Sequence, residues 1–298
     1  MSILLAFLSA FFYGSADTSY RFTLRRVPPL LLAVIYTGTQ LAITGVIVGL
    51  RPRAALDPAG IAWFALGGVF NPALFMLFFF AGVRRMGSAR AATLKATAPI
   101  FAVAAAVAIL GERPRWPQYG GAVSVAAGVM ALYGEGARGD WPWGAAVFPL
   151  LAAFSTGFAS VLFKLGLGRV PDPYLGLFVA LAACAAILVP VWAYKSARRD
   201  PIALPAPAAF SSPKEKARTA FLALLSSVVS IGGNLFLFLA LDAGRVSTVF
   251  PLIQCSPLVV LFYSAVFLRS LERPTGRLFL GVALILAGAY LVTAFRPG

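Results

Sequence analysis

The sequence predicts an all-α membrane protein with about ten transmembrane helices arranged as two inverted five-helix repeats. Three observations carry that prediction. Hydrophobic residues make up 60% of the 298 and charged residues only 12%, whereas soluble domains carry about 25% charged residues. The apolar residues fall in ten runs, each near the roughly 20 residues of helix that cross a hydrocarbon core about 30 Å thick. One long stretch, Ala81 to Gln118, also recurs in weaker form as Ala240 to Arg277.

The expected spans are 3–22, 29–50, 59–83, 88–110, 116–134, 142–166, 173–194, 217–241, 246–268 and 276–295. Proline and glycine punctuate the short connections, at Pro28-Pro29, Pro58, Pro114, Pro117, Pro142, Pro171, Pro173 and Pro274. Met1 to Tyr20 lacks a basic start and a small-residue cleavage site, so it reads as a retained first span. One connection is long, Ser196 to Lys216. Its proline-rich centre suits a flexible or interface-lying strap.

In the repeat, Pro99 corresponds to Pro257, Glu112-Arg113-Pro114 to Glu272-Arg273-Pro274, and Gly121 and Gly128 to Gly281 and Gly288. Phe12-Tyr13-Gly14 also matches Ser155-Thr156-Gly157, and Arg21 matches Lys164. The copies divide the chain at 1–137 and 138–298. An odd number of spans per copy forces the two into opposite orientations. Such repeats place a site near the bilayer midplane and suit alternating access.

On these residues the chain resembles the drug/metabolite transporter superfamily, EamA type, over essentially its whole length. The Ala/Thr-rich Ala89 to Pro99, the LGERP sequence Leu110 to Pro114, its echo LERP at Leu271 to Pro274 and the following glycines carry the resemblance. Ser270 departs from the pattern where the first copy has Gly111. The resemblance implies a membrane transporter, in most members an exporter of amino acids, other metabolites, nucleotide sugars or drugs. It specifies fold well and substrate poorly.

Polar residues inside spans cost about 2.5–3.5 kcal/mol each when charged, so each needs a partner, water or a function. Lys95 lies about seven residues into the fourth span and Asp17 about five from the end of the first, at comparable depth. An ion pair bordering a substrate cavity, or gating it, is the functional reading; mutual neutralisation is the structural one. Asn71, beside Pro72 at the middle of the third span, is expected to line the cavity. Asn234 and Gln254 are read as site residues or as interhelical hydrogen-bond glue. Gln254 lies between Pro251 and Pro257, which makes its span the best candidate for a locally unwound segment. Arg21 and Arg90 are expected to snorkel, Lys164 and Asp242 to reach loops. Phe75 and Phe78 to Phe80 are expected to pack. Glu112 and Glu272 are expected to cap helices.

Other classes fit poorly. The absence of histidine removes most zinc sites and histidine bases, and no spaced carboxylate pair suggests an intramembrane enzyme. No catalytic residue, metal or cofactor is expected. Cys184 and Cys255 sit in apolar runs as core filling. The net charge of +15 is read as loop charge facing lipid head groups rather than nucleic acid. A metabolite exporter in the bacterial inner membrane is the first reading, with a multidrug or lipophilic-cation exporter as the alternative. A coupling proton would pass through Asp17, the acidic residue well inside a span. One chain supplies both halves of a cavity, so a monomer suffices and a dimer is compatible. Loops after odd-numbered spans carry sixteen Lys/Arg and the opposite face eight. The positive-inside rule then puts both termini outside the cytoplasm, an outcome that hangs on the seventh loop.

Overall fold

The computed structural model describes residues 1–24, 26–51, 56–134, 143–204, 212–267 and 276–295; the Arg21 side chain and Glu272 lie outside them. The described residues contain helices and no strand: α1 (Ser2–Leu24), α2 (Pro29–Leu50), α3 (Pro58–Gly68), α4 (Phe75–Met86), α5 (Ser88–Lys95), α6 (Ala98–Leu110), α7 (Trp116–Gly134), α8 (Trp143–Arg169), α9 (Pro173–Ala197), α10 (Pro213–Ala243), α11 (Val246–Ile253), α12 (Ser256–Phe267) and α13 (Gly276–Ala294). Three of the expected spans are each two helices. The third is α3 and α4 joined by a π-helical turn at Val69–Leu74, the fourth is α5 and α6, and the ninth is α11 and α12.

Among the described residues, eight of the expected spans are long and apolar enough on their own to cross a membrane. The other two, α1 and α7, have 23 and 19 residues and pack along α10 and α13 respectively. Many large apolar side chains face outward, Phe11, Val123, Phe221 and Phe279 among them, as a lipid-facing surface requires.

The helix starts follow from sequence. Asp57 accepts a hydrogen bond from the Ala59 N–H, and Asp172 from Tyr174 and Leu175, each just before a proline that opens a helix without needing its own N–H. Ser212 does the same for α10. That cap shortens the seventh connection relative to the Ser196 to Lys216 expected. Lys195 and Ser196 belong to α9, while Lys214 and Lys216 belong to α10. Residues 198–204 lie against the bundle, with Ile202 C=O accepting from Leu30 N–H at 3.1 Å and Ala203 wholly buried.

The repeat is visible in the packing. A Cβ on Gly14 would stand 2.6 Å from Ser256 O and from Val259 Cβ. A Cβ on Gly157 would stand 2.8 Å from Ala98 O and 3.0 Å from Phe101 Cβ. Ser256 and Val259 follow Ala98 and Phe101 by the same 158 residues as Pro257 follows Pro99. The first span thus crosses the ninth as the sixth crosses the fourth. At the ends of the repeats, α7 and α13 meet glycine to glycine and antiparallel: Cβ atoms on Gly121 and Gly128 would lie 2.8 and 2.7 Å from the carbonyl oxygens of Gly288 and Gly281. Backbones approach this closely only where small residues let them.

Gly128→Leu forces a side chain into a contact that holds backbone atoms, and overpacking costs about 1–3 kcal/mol. It is expected to lower the thermal unfolding midpoint of the detergent-purified protein clearly more than Gly120→Leu, whose Cβ position is open.

Candidate functional site

The fourth and ninth spans break at equivalent places. Pro99 has no N–H to give Lys95 C=O, and Pro257 has none for Ile253 C=O, so each helix loses a rung there. In both breaks the chain tightens into a three-residue turn: Thr97 N–H donates to Leu94 O at 3.1 Å and Cys255 N–H to Leu252 O at 3.1 Å, followed by Ile100 to Thr97 at 3.0 Å and Leu258 to Cys255 at 2.9 Å. All four pairs keep the offset of 158. Pro251, by contrast, lies inside α11 without ending it. One proline per span suffices, and the fourth span shares the interruption that the sequence suggested for the ninth alone. Gln254 sits in the second break, half-buried. A third break lies at Asn71, half-buried and extended at φ −143°, ψ 117°, within the turn that packs on α8 and α9.

Lys95 is the last residue of α5, at the first break. It is half-buried, its ammonium lies 5.4 Å from the centroid of the Phe75 ring, and the charge of Asp17 acts on it. Asp17 stands seven residues before the end of α1, about 10 Å deep at 1.5 Å per residue. It is nevertheless exposed. A carboxylate at that depth is costly in hydrocarbon, so an exposed one there calls for water or a partner. These two residues from separate spans are brought together; Asn71 belongs to another interface, although Phe75 opens the helix just after it.

Asn234 is the hub of a chain of polar side chains. Tyr13, one turn before Asp17 on α1, donates to Asn234 Oδ1 at 2.6 Å, and Asn234 Nδ2 donates to Gln40 Oε1 at 2.7 Å. Gln40 is fully buried. The chain joins α1, α10 and α2 across the two repeats. Neither Tyr13 nor Gln40 stood out in sequence, because a tyrosine or glutamine in an apolar helix has no spacing signal that names its partner.

On the face that holds the termini, Glu112 and Lys164 hold helix ends. Gly111 ends α6 in the left-handed conformation at φ +65°, which turns the next residue toward the second repeat. The Glu112 carboxylate accepts from the N–H groups of Val246 and Ser247 at 2.8 and 2.9 Å and from the Ser247 hydroxyl. It therefore caps α11, a helix of the other repeat, rather than the helix that follows it. Lys164 and Asp242 are helical, on α8 and α10, not in loops. Lys164 Nζ donates to the carbonyls of Leu241 at 2.6 Å and Asp242 at 3.2 Å, closing the end of α10. Nearby, Gln118 Nε2 donates to Thr248 Oγ1 at 3.1 Å. Arg169 pairs with Asp57 at 3.2 Å. The Ala59 N–H and that guanidinium hold the Asp57 carboxyl below its ordinary range.

The aromatic residues behave mostly as packing. Phe75 stacks on Phe79, while Phe70, Phe101, Phe154 and Phe158 contact one another ring to ring. Cys184 and Cys255 are free and buried. No cluster of three or more Cys, Asp or Glu able to hold a metal occurs among the described residues.

If the Tyr13–Asn234–Gln40 chain is structural, Asn234→Leu strands the buried Gln40 amide and costs about 1–2 kcal/mol, and Tyr13→Phe about 0.6 kcal/mol. The unfolding midpoint of each purified variant measures this. An unchanged midpoint for Asn234→Leu would assign the residue to binding instead.

Comparison with known proteins now gives these features a context. The EamA-like transporter family matches residues 1–134 and again residues 143–294. No curated protein matches the chain. A protein of known crystal structure superposes with a TM-score of 0.77, covering 99% of each chain at 21% identity, a likeness of fold. The two family matches span nearly the whole sequence: the chain belongs to the EamA-like transporter family, within the drug/metabolite transporter superfamily, and is an integral multi-pass membrane protein.

Proposed function

We propose that this protein is a secondary transporter, not an enzyme, that exports a small zwitterionic metabolite such as an amino acid by alternating access between its two repeats. The observation that carries the reading is the approach of Asp17 and Lys95 beside the break in the fourth span. Two opposite charges about 10 Å deep, one of them exposed, suit a ligand that carries both a carboxylate and an ammonium. In this reading Lys95 receives the carboxylate and Asp17 the ammonium. The ligand replaces part of their mutual attraction, and both charges stay compensated when the site empties. In the same reading Gln254, in the equivalent break of the ninth span, is the other repeat's contribution and Asn234 adds its amide through Tyr13, while Asn71 serves its separate interface with α8 and α9. Asp17 is the group through which a coupling proton would pass. The reading needs one chain, a membrane and no nucleic acid, metal or cofactor, and the bacterial inner membrane is the setting it fits.

A multidrug exporter of the same fold would be favoured by aromatic rings facing an open space. Here the four rings of Phe70, Phe101, Phe154 and Phe158 are occupied with each other, which favours the metabolite reading.

A panel of amino acids, sugars, nucleosides and lipophilic cations, screened for thermal stabilisation of the purified protein, tests the substrate class. A ligand at 100 times its dissociation constant adds about 2.7 kcal/mol. An amino acid is expected to stabilise the wild type, with Lys95→Ala and Asp17→Asn each losing the response. Stabilisation by lipophilic cations that survives Lys95→Ala would select the multidrug reading. Retention of an amino-acid response in both variants would make the pair a structural one.

A further inference from the structure

Inverted repeats give every gating element a counterpart, so a difference between counterparts reports which face is closed. The half-helices α5 and α11 are related by the offset of 158. All eight residues of α11 are buried, against Ala91 and Thr93 alone in α5. A second pair agrees. Gly14 and Gly157 place Asp17 of the first span opposite Ser160 of the sixth; Asp17 is exposed and Ser160 is 2% exposed. Both differences have the same sense. The recess opens toward the face where α5 begins, the one with sixteen Lys/Arg, and is shut toward the face of the termini.

What shuts that face is polar and crosses between the repeats. Glu112 of the first repeat holds the N-terminus of α11 through two N–H groups and a hydroxyl, and Gln118 holds Thr248, the next residue. The Lys164 ammonium sits in reach of the Glu112 charge while it closes the end of α10. Cross-repeat pairs on the opposite face, Arg26–Glu215 and Arg84–Asp200, involve arginine side chains that are 41% and 60% exposed. Exposed pairs of that kind contribute little.

We propose that the Glu112 carboxylate is the latch of the termini-side gate. It closes that face by seizing the α11 N-terminus of the other repeat, and it must release the helix for the recess to open there. This rests on the alternating-access reading above and adds to it the residue that sets the balance between the two open states. Glu112 is a positioning residue and does not touch substrate.

Cysteine labelling tests the latch without any substrate. Ser160→Cys reports the closed face and Ala92→Cys, on half-buried α5, the open one; the two buried native cysteines set the background. Each reporter is placed in the full-length purified protein with Glu112 intact or as Glu112→Gln. Its reaction with a charged methanethiosulfonate reagent is followed by intact mass. With Glu112 intact, Ser160→Cys is expected to label slowly and Ala92→Cys fast. Loss of charge-assisted bonds from one state shifts a two-state balance by about 10-fold. Glu112→Gln is therefore expected to accelerate Ser160→Cys by about that factor and slow Ala92→Cys. Ser247→Ala, which removes one bond of the latch, is expected to move both reporters the same way by less, and it serves should Glu112→Gln fail to fold. A lowered unfolding midpoint with both labelling rates unchanged would overturn the latch and leave Glu112 a plain helix cap. A labelling shift with no ligand found in the panel would sink the substrate class and keep the latch. A ligand response dependent on Lys95 with no labelling shift would do the reverse.

Discussion

Inside a bilayer no water satisfies a broken helix rung, so helix interruptions are confined to places where protein or a water-filled recess surrounds them. The rest of this structure depends on that constraint. Pro99 and Pro257 interrupt the fourth and ninth spans at equivalent positions. The interruption is kept small by a tightened turn in each, and the crossing first and sixth spans cover it at the closest approach their glycines allow. Lys95 ends the half-helix at the first of these interruptions, and Asp17, on the span that crosses the second, lies near enough for its charge to act on it. A break and a close crossing thus recur together in both repeats, and the first repeat alone adds a charge at its break.

The two repeats are alike in backbone and unlike in chemistry. The break in the first copy ends on Lys95, and that in the second on Ile253 followed by Gln254. Asp17 in the first span has Ser160 as its counterpart in the sixth. Charge is therefore concentrated in the first repeat, while the second contributes amides and hydroxyls. In the alternating-access reading proposed above, this would give a fold that tilts symmetrically about its centre and a site with a definite polarity. A ligand with one charged end and one neutral or apolar end would be oriented by it.

Glu112 shows how a local feature acquires a distant role. A glutamate before an Arg-Pro turn reads as the cap of the helix that follows. Left-handed Gly111 instead aims it at the N-terminus of α11, 134 residues away in sequence. The chemistry of the reading holds, since a carboxylate does satisfy exposed N–H groups at a positive helix end. The helix it serves is a different one, because in an antiparallel bundle the end of one span lies beside the beginning of several others.

Sequence alone determined the membrane class, the spans and their inverted duplication, and it pointed to an interruption in the ninth span but not to its counterpart at Pro99 in the fourth. Each of these is a property of hydrophobicity and backbone chemistry over about 20 residues and needs no partner. It also determined that Asp17 and Lys95 lie at like depth, since depth is counted along a helix. Only the tertiary structure decided which side chains meet: Tyr13 with Asn234 across 221 residues, Asn234 with Gln40 across 194, Glu112 with Ser247 across 135. On the gate proposed above, it also decides which face is closed. Both matters turn on how two similar halves lean on one another. Local sequence carries no term for that difference, so only the assembled bundle, through the burial of α11 beside the partial exposure of α5, expresses it.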